Sequence, residues 1–165
     1  RLRRMAELRA LYEGHVARFR AVVMQEPASL AREAHAEMEA LLERTAMSAF
    51  IREKKDFYTA LFDAEGAMAV GSDLPIFGDI VGPVARHFPL EGMRRGDLYW
   101  YSDCYGSRGA VSHSNDQVFL APIYHGDARV GFVMGWAHFS DIGGLRPGSL
   151  SPDATDHFQE GIIVP

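Results

Sequence analysis

Residues 117–137 read QVFLAPIYHGDARVGFVMGWA, two apolar runs on either side of a short polar turn. Apolar and aromatic runs joined by a turn that contains glycine are typical of an antiparallel β-hairpin. Pairing about this turn sets Asp116 opposite His138, and the same register sets Val118 opposite Trp136. Cβ atoms of directly opposed residues lie about 4.5–5.5 Å apart, so we expect Asp116 and His138 to converge at the open end of the hairpin.

The chain before this hairpin begins with helical patterns. Apolar residues recur with a period close to 3.6 over residues 2–23, which indicates an amphipathic helix. Pro27 ends that pattern, and a second helical pattern follows over residues 30–47.

Strand patterns then take over. Residues 56–70 contain two apolar runs around a turn and indicate a second hairpin, and residues 98–101 form a further short strand-like run. Helices followed by antiparallel strands define an α+β fold. We expect a helical segment over residues 1–48 and an α+β segment that carries the functional site over residues 49–165, both within one truncated domain.

Composition limits the kinds of partner. The 17 basic and 22 acidic residues give a net charge of −5, so no overall field favours nucleic acid or an acidic membrane surface. The single cysteine, Cys104, cannot form an internal disulfide, and no apolar run approaches the ~18 residues of a membrane span. We therefore expect a cytoplasmic protein. The chain also has no glycine-rich phosphate loop of the usual kind, so any ATP chemistry is expected elsewhere.

Three side chains near the open end of the predicted hairpin are candidate metal ligands. They are His113, Asp116 and His138. Two imidazoles and one carboxylate leave coordination positions open for water or substrate, as in a catalytic site. A histidine at a strand end is also common as a surface or hydrogen-bonding residue, and the spacing alone leaves both readings open.

Several stretches in series resemble the hydantoinase B/oxoprolinase family. That family has an Asn-Asp-Pro-Tyr-type segment, a glycine loop, a His-x-x-Asp pair and an Ala-His-His-Ala-Asp-Ile-Gly-Gly segment. The corresponding stretches here are SDCYG at 102–106, HSND at 113–116 and AHFSDIGG at 137–144. Residues 103–114 and 136–139 are most similar to the ketone carboxylase branch of the family, such as acetone carboxylase alpha subunits. Ser102 and Cys104 replace the Asn and Pro of the wider pattern, which argues against a hydantoinase and suits that branch.

The resemblance implies a metal site. In the ketone carboxylase branch the His-x-x-Asp pair and the later histidine are metal ligands, which implies that His113, Asp116 and His138 bind a metal here. Mn(II) is the expected ion and Zn(II) the alternative, since this ligand set suits both. The fold expected is thus α+β, with N-terminal helices followed by an antiparallel sheet with a metal-bearing hairpin.

The resemblance also implies an activity and partners. An ATP-dependent ketone carboxylase joins a bicarbonate-derived carboxyl group to an activated ketone enolate. ATP is consumed by a companion nucleotide-binding subunit similar to hydantoinase A, and a small third subunit is a further expected partner. The chain resembles an N-terminal fragment of the metal subunit, so we expect it to be inactive alone. The alternatives are a subunit that hydrolyses a hydantoin, oxoproline or lactam, and a non-catalytic module that docks through residues 2–23.

Four further residues are predicted to serve the reaction. Asp103 and Asp141 are candidate catalytic carboxylates, and Tyr105 and Trp136 are candidate substrate-binding residues that would exclude water. Asp141 could orient His138 or act as a base, although Asp141 followed by Ile-Gly-Gly is also typical of a turn.

Overall fold

The computed structural model describes residues 27–72 and 78–165 of the chain. Within these ranges it has helices α1 (Pro27–Thr45), α2 (Ala49–Arg52) and α3 (Val81–His87), and strands β1 (Phe57–Phe62), β2 (Met68–Gly71), β3 (Tyr99–Tyr101), β4 (Asp116–His125) and β5 (Ala128–His138). Two short 3-10 helices occupy Leu90–Gly92 and His157–Glu160.

The five strands form one sheet in the order β2-β1-β5-β4-β3, and every neighbouring pair is antiparallel. Two helices precede the first strand, so the predicted α+β fold is confirmed. The longest strands, β4 and β5, lie side by side within the sheet and are joined by a tight turn.

The register of the β4–β5 hairpin is the one that the sequence predicts. Asp116 lies opposite His138, and Val118 lies opposite Trp136. The register shifts by one residue after Ile123, which is a β-bulge next to the turn. Because the shift lies at the turn end, it leaves the pairing at the open end unchanged.

The main core lies on the sheet face that carries the even-numbered residues of β4 and β5. Val118, Leu120, Phe132 and Met134 are at most 1% exposed there, since side chains alternate between the two faces of a strand. Helix α3 packs into the same core through its buried apolar side chains, among them Val84.

A smaller core joins α1 and α2 to the opposite face of the sheet. Ile51 of α2 packs there against Phe57 and Ala137, which are paired across β1 and β5. In addition, Nε2 of the buried His35 on α1 lies 3.0 Å from the backbone oxygen of Thr59 on β1. These contacts hold the residues just before β1 against the end of β5.

The first described helix begins earlier than the sequence predicts. Helix α1 begins at Pro27 and not at residue 30, because the fixed φ of proline suits a first helical turn, where its missing N–H has no intrahelical partner to lose. The helix predicted for residues 2–23 lies outside the described residues, and the division at residue 48 stays a prediction. In the described part of the chain, no helix is long and apolar enough to cross a bilayer.

Candidate metal centre

The first residue of β4 and the last residue of β5 form the base of the candidate site. The Oδ1 atom of Asp116 lies 3.3 Å from Nδ1 of His138. Both residues are buried, with exposures of 3% and 2%. The hairpin register therefore places a carboxylate and an imidazole together at the open end of the hairpin, away from bulk water.

His113 joins this pair from the loop that precedes β4. The backbone N–H of Asp116 donates to the carbonyl oxygen of His113 at 3.1 Å, which closes a turn between the two residues. The turn brings Nε2 of His113 to 3.0 Å from Oδ1 of Asp116. One potential ligand atom from each of His113, Asp116 and His138 then lies within 4.8 Å of the others.

Hydrogen bonding and charge favour the protonated form of His113. The hydrogen bond to Asp116 raises the pKa of His113 above its ordinary value of 6.5, against the effect of burial, which lowers it. The negative charges of Asp116 and Asp56 act in the same direction as the hydrogen bond. A dication would compete with a proton for this position, because a histidine must be neutral to bind a metal.

The chemistry of the donor set fits a first-row dication. The hydroxyl of Ser112 donates to Oδ2 of Asp116 at 3.1 Å, which leaves Oδ1 between the two imidazoles. The Nδ1 atom of His113 is buried and has no hydrogen-bond partner among the described residues. Two nitrogens and one carboxylate oxygen are ligands that suit Mn(II) and Zn(II).

Two residues beside the cluster were missed by sequence reasoning. The carboxylate of Asp56 lies 4.0 Å from Nδ1 of His138, and the backbone oxygen of Asp56 accepts a hydrogen bond from the His138 N–H at 3.0 Å. The Phe50 ring packs against the His138 ring with 5.1 Å between centroids. The contacts of Asp56 and Phe50 with His138 depend on the pairing of β1 with β5, which no local sequence motif predicts.

The two predicted catalytic carboxylates lie in turns. Oδ1 of Asp141 accepts the N–H of Gly143 at 2.9 Å, and Oδ1 of Asp103 accepts the N–H of Tyr105 at 2.8 Å. These are Asx turns, in which the carboxylate stabilises its own loop. Neither residue belongs to the three-residue cluster, and their catalytic roles stay predictions.

The two predicted substrate-binding aromatics have different surroundings. Tyr105 is 79% exposed on the surface. Trp136 is partly buried against the main core, and it lies on β5 two positions before His138 and on the same face. The structure therefore places Trp136 in the same stretch of the sheet as the cluster, and both substrate-binding roles stay predictions.

A separate cavity of about 610 Å³ lies between α3 and β3. Its lining is mostly apolar, with Val84 and Phe88 on one side, Leu98 and Trp100 on the other, and Asp103 among them. This volume is typical of small-molecule sites. None of the three clustered residues lines it, so the cavity and the cluster are distinct features.

Comparison with known proteins gives the family. The hydantoinase B/oxoprolinase family model matches residues 27–165, which include the hairpin, the cluster and all five strands. The chain therefore belongs to the hydantoinase B/oxoprolinase family.

Its relatives include hydrolytic enzymes and a carboxylase. The chain is 31% identical over 80% of its length to caprolactamase subunit beta of Pseudomonas jessenii. It is 29% identical over 78% of its length to 5-oxoprolinase of Dictyostelium discoideum. It is 28% identical over 67% of its length to the acetophenone carboxylase delta subunit of Aromatoleum aromaticum.

Two solved structures share the fold. The ATP-dependent caprolactamase of Pseudomonas jessenii superposes on 86% of the chain with a TM-score of 0.67 and 26% identity. Nucleotide-free acetone carboxylase superposes on 87% with a TM-score of 0.65 and 19% identity. The chain covers only 10% to 26% of the length of these relatives and structures.

Proposed function

We propose that the chain is the metal-binding portion of an ATP-dependent ketone carboxylase subunit. The observation that carries this proposal is the convergence of His113, Asp116 and His138 within 4.8 Å, in a chain of the hydantoinase B/oxoprolinase family. The ketone carboxylase branch is favoured by the segment around Ser102 and Cys104, which departs from the wider family pattern. The relationship to an acetophenone carboxylase subunit supports the same reaction class.

The three clustered residues would hold Mn(II), or alternatively Zn(II), through two imidazole nitrogens and one carboxylate oxygen. The bound dication would act as a Lewis acid toward the oxygen of the enolate or of the carboxyl donor. Asp116 and His138 are nearly fully buried, and this burial would limit the access of bulk water to a reactive intermediate bound there. Ser112 fixes the Asp116 carboxylate, and Phe50 limits rotation of the His138 ring.

The companion subunits are part of the proposal. Relatives are named as subunit beta of caprolactamase and subunit delta of acetophenone carboxylase, which supports companion chains for this one. A nucleotide-binding subunit similar to hydantoinase A would consume ATP and activate the ketone and bicarbonate. A small third subunit would complete the assembly. The isolated chain would bind metal without turning over a ketone.

A second candidate is the hydrolysis of a cyclic amide. The observation in its favour is that the caprolactamase subunit is 31% identical to this chain and that the caprolactamase structure has the same fold. The same three side chains would then serve an attack of water on the amide carbonyl. The cluster geometry alone is compatible with both reactions.

Product analysis on the assembled complex distinguishes the two. The full-length subunit, purified with the chains that accompany it, is incubated with ATP and either a ketone with ¹³C-bicarbonate or a lactam. Carboxylation predicts ATP-dependent incorporation of ¹³C into a keto acid, abolished by Asp116→Asn and preserved by Asp153→Asn, a surface control. Lactam opening without ¹³C incorporation would contradict carboxylation and select the hydrolase.

A further inference from the structure

Asn115 lies between two members of the cluster and ties their loop to the segment after β5. It is 6% exposed, and its Nδ2 atom donates to the backbone oxygens of Phe139 at 2.8 Å and Gly148 at 2.9 Å. Its own backbone oxygen accepts the N–H of Phe139 at 2.9 Å. Both amide hydrogens of this buried side chain are thus used on one neighbouring segment.

The carbonyl oxygen of Gly148 contacts His138 as well. It lies 3.3 Å from Nε2 of His138, and it has two lone pairs, so it can accept from Asn115 and His138 at the same time. The Gly148 N–H donates to the Ser140 carbonyl at 2.6 Å, and Gly148 has a φ of +117°, a conformation that side-chain-bearing residues rarely adopt. The turn and the Asn115 amide together fix the position of this oxygen.

A carbonyl oxygen can only accept a hydrogen bond, which makes Nε2 of His138 the donor in its contact with Gly148. Contact with Gly148 requires a proton on Nε2. Nδ1 is the atom that faces Asp116 at 3.3 Å and Asp56 at 4.0 Å. In a neutral imidazole, a proton on Nε2 leaves the Nδ1 lone pair for a metal, and hydrogen bonds of this kind set the tautomer of metal-binding histidines. The Asp116 carboxylate also accepts hydrogen bonds, so a dication at Nδ1 would replace a proton between Nδ1 and that carboxylate.

We propose that Asn115 is a positioning residue that, through the Gly148 carbonyl, keeps the proton of His138 on Nε2 and presents Nδ1 to the cluster. This inference rests on the proposed function, because it gives the orientation in which His138 would bind metal. It adds a residue that binds neither metal nor substrate. It also gives a reason for glycine at position 148, because the φ of +117° that places this backbone oxygen is one that other residues rarely adopt.

The test compares Asn115→Ala with the parent chain by two measurements. In the metal-free chain, ¹⁵N-histidine NMR detects the His138 Nε2–H, which we expect to be protected from solvent exchange in the parent and unprotected in Asn115→Ala. In the second measurement, Zn(II) is titrated against a chromophoric chelator. Loss of an outer hydrogen bond to a metal-binding histidine weakens metal binding by about 10- to 100-fold, and we expect a loss in this range.

Two further variants separate positioning from general destabilisation. Thr59→Val removes a different buried hydrogen-bonding group, and we expect it to leave the Nε2–H signal and the Zn(II) affinity unchanged. If Asn115→Ala does not fold, Gly148→Ala takes its place. An added Cβ at Gly148 meets nothing within 4 Å, so it acts on the backbone conformation and hence on the carbonyl.

The possible outcomes separate this inference from the proposed function. An Asn115→Ala chain that keeps both the protected Nε2–H and the parent Zn(II) affinity would overturn the positioning role. A parent chain with the protected Nε2–H and no Zn(II) or Mn(II) binding would overturn the metal site while leaving the Asn115–Gly148–His138 contact in place. A parent chain without a protected Nε2–H would contradict the inference directly.

Discussion

Asp116 and His138 face each other across the open end of a single hairpin, with 3.3 Å between Oδ1 and Nδ1, although 22 residues separate them in the chain. The strand register alone produces this pair, since both residues lie on the same face of the sheet and at matched positions. His113 then needs only one turn to reach them. The β4–β5 hairpin and the turn before it are therefore sufficient to bring the three residues together.

Metal affinity should rise with pH. The hydrogen bond to Asp116 raises the pKa of His113 above 6.5, so protons compete with a metal at a higher pH than for an ordinary histidine. Below that raised pKa we expect the apparent Zn(II) affinity to fall by about tenfold for each pH unit, as one proton is released on binding. Chelator competition from about pH 6 to 9 measures this slope.

In the metal-free chain, the contribution of His113 to the free energy of unfolding should fall as pH rises, whereas metal affinity rises. A raised folded-state pKa means that the protonated His113–Asp116 pair stabilises the fold below the unfolded pKa near 6.5 and ceases to do so as pH rises through the folded pKa. A control variant, His125→Gln at the hairpin turn, should keep both pH profiles. An affinity that does not change over this pH range would contradict competition at His113.

Asp56→Asn should weaken metal binding, and Asp141→Asn should not. The Asp56 carboxylate lies 4.0 Å from the His138 imidazole, whereas Asp141 caps its own turn at Gly143. We expect a loss of about tenfold in Zn(II) affinity for Asp56→Asn, the size typical of a residue just outside the ligand set. A larger loss for Asp141→Asn would show instead that Asp141 orients His138, as one reading of the sequence suggests.

Leu120→Ala should destabilise the fold without abolishing the hairpin. Leu120 is fully buried and lies opposite Met134 in the main core, so truncation leaves a cavity. Losses of about 2–5 kcal/mol in the free energy of unfolding are typical of such changes. Urea denaturation measures the loss, and Val130→Ala at a position that is 48% exposed is the matched control, expected within about 0.5 kcal/mol of the parent.

Cys104 should be a slow nucleophile. Burial raises the pKa of the Cys104 thiol above its ordinary value of 9.0, and the neighbouring Asp103 charge acts in the same direction. We expect iodoacetamide to alkylate Cys104 in the folded chain more slowly than in the urea-unfolded chain near pH 8, with the rate rising as the pH passes above 9.0. A folded-state rate above the unfolded one would indicate an activated thiol.

The hairpin could be predicted because its information is local. A short turn between two apolar runs fixes the register, and the register fixes the Asp116–His138 pair. The position of His113 next to that pair needed more than spacing, because a loop residue can point in many directions. The family resemblance predicted the position of His113. Its physical cause is the turn in which the Asp116 N–H donates to the His113 carbonyl oxygen.

The rest of the site depends on contacts between distant segments. Asp56 reaches His138 because β1 pairs with β5, and Asn115 reaches Gly148 because the segment after β5 folds back over the cluster. Neither contact has a periodic pattern or a turn that marks it in the sequence. Pro27 illustrates a smaller error of a different, local kind, since a proline that ends one helical pattern can also begin the next helix.

Metal content is the most direct test of the central claim. The purified chain is analysed for Mn and Zn as isolated and after dialysis, beside a His113→Ala/His138→Ala double variant whose fold is verified by circular dichroism. We predict about one Mn or Zn per parent chain, the single ion expected of one three-ligand site, and none in the folded double variant. A well-folded parent chain that binds neither metal would contradict the metal site and favour a non-catalytic assembly role.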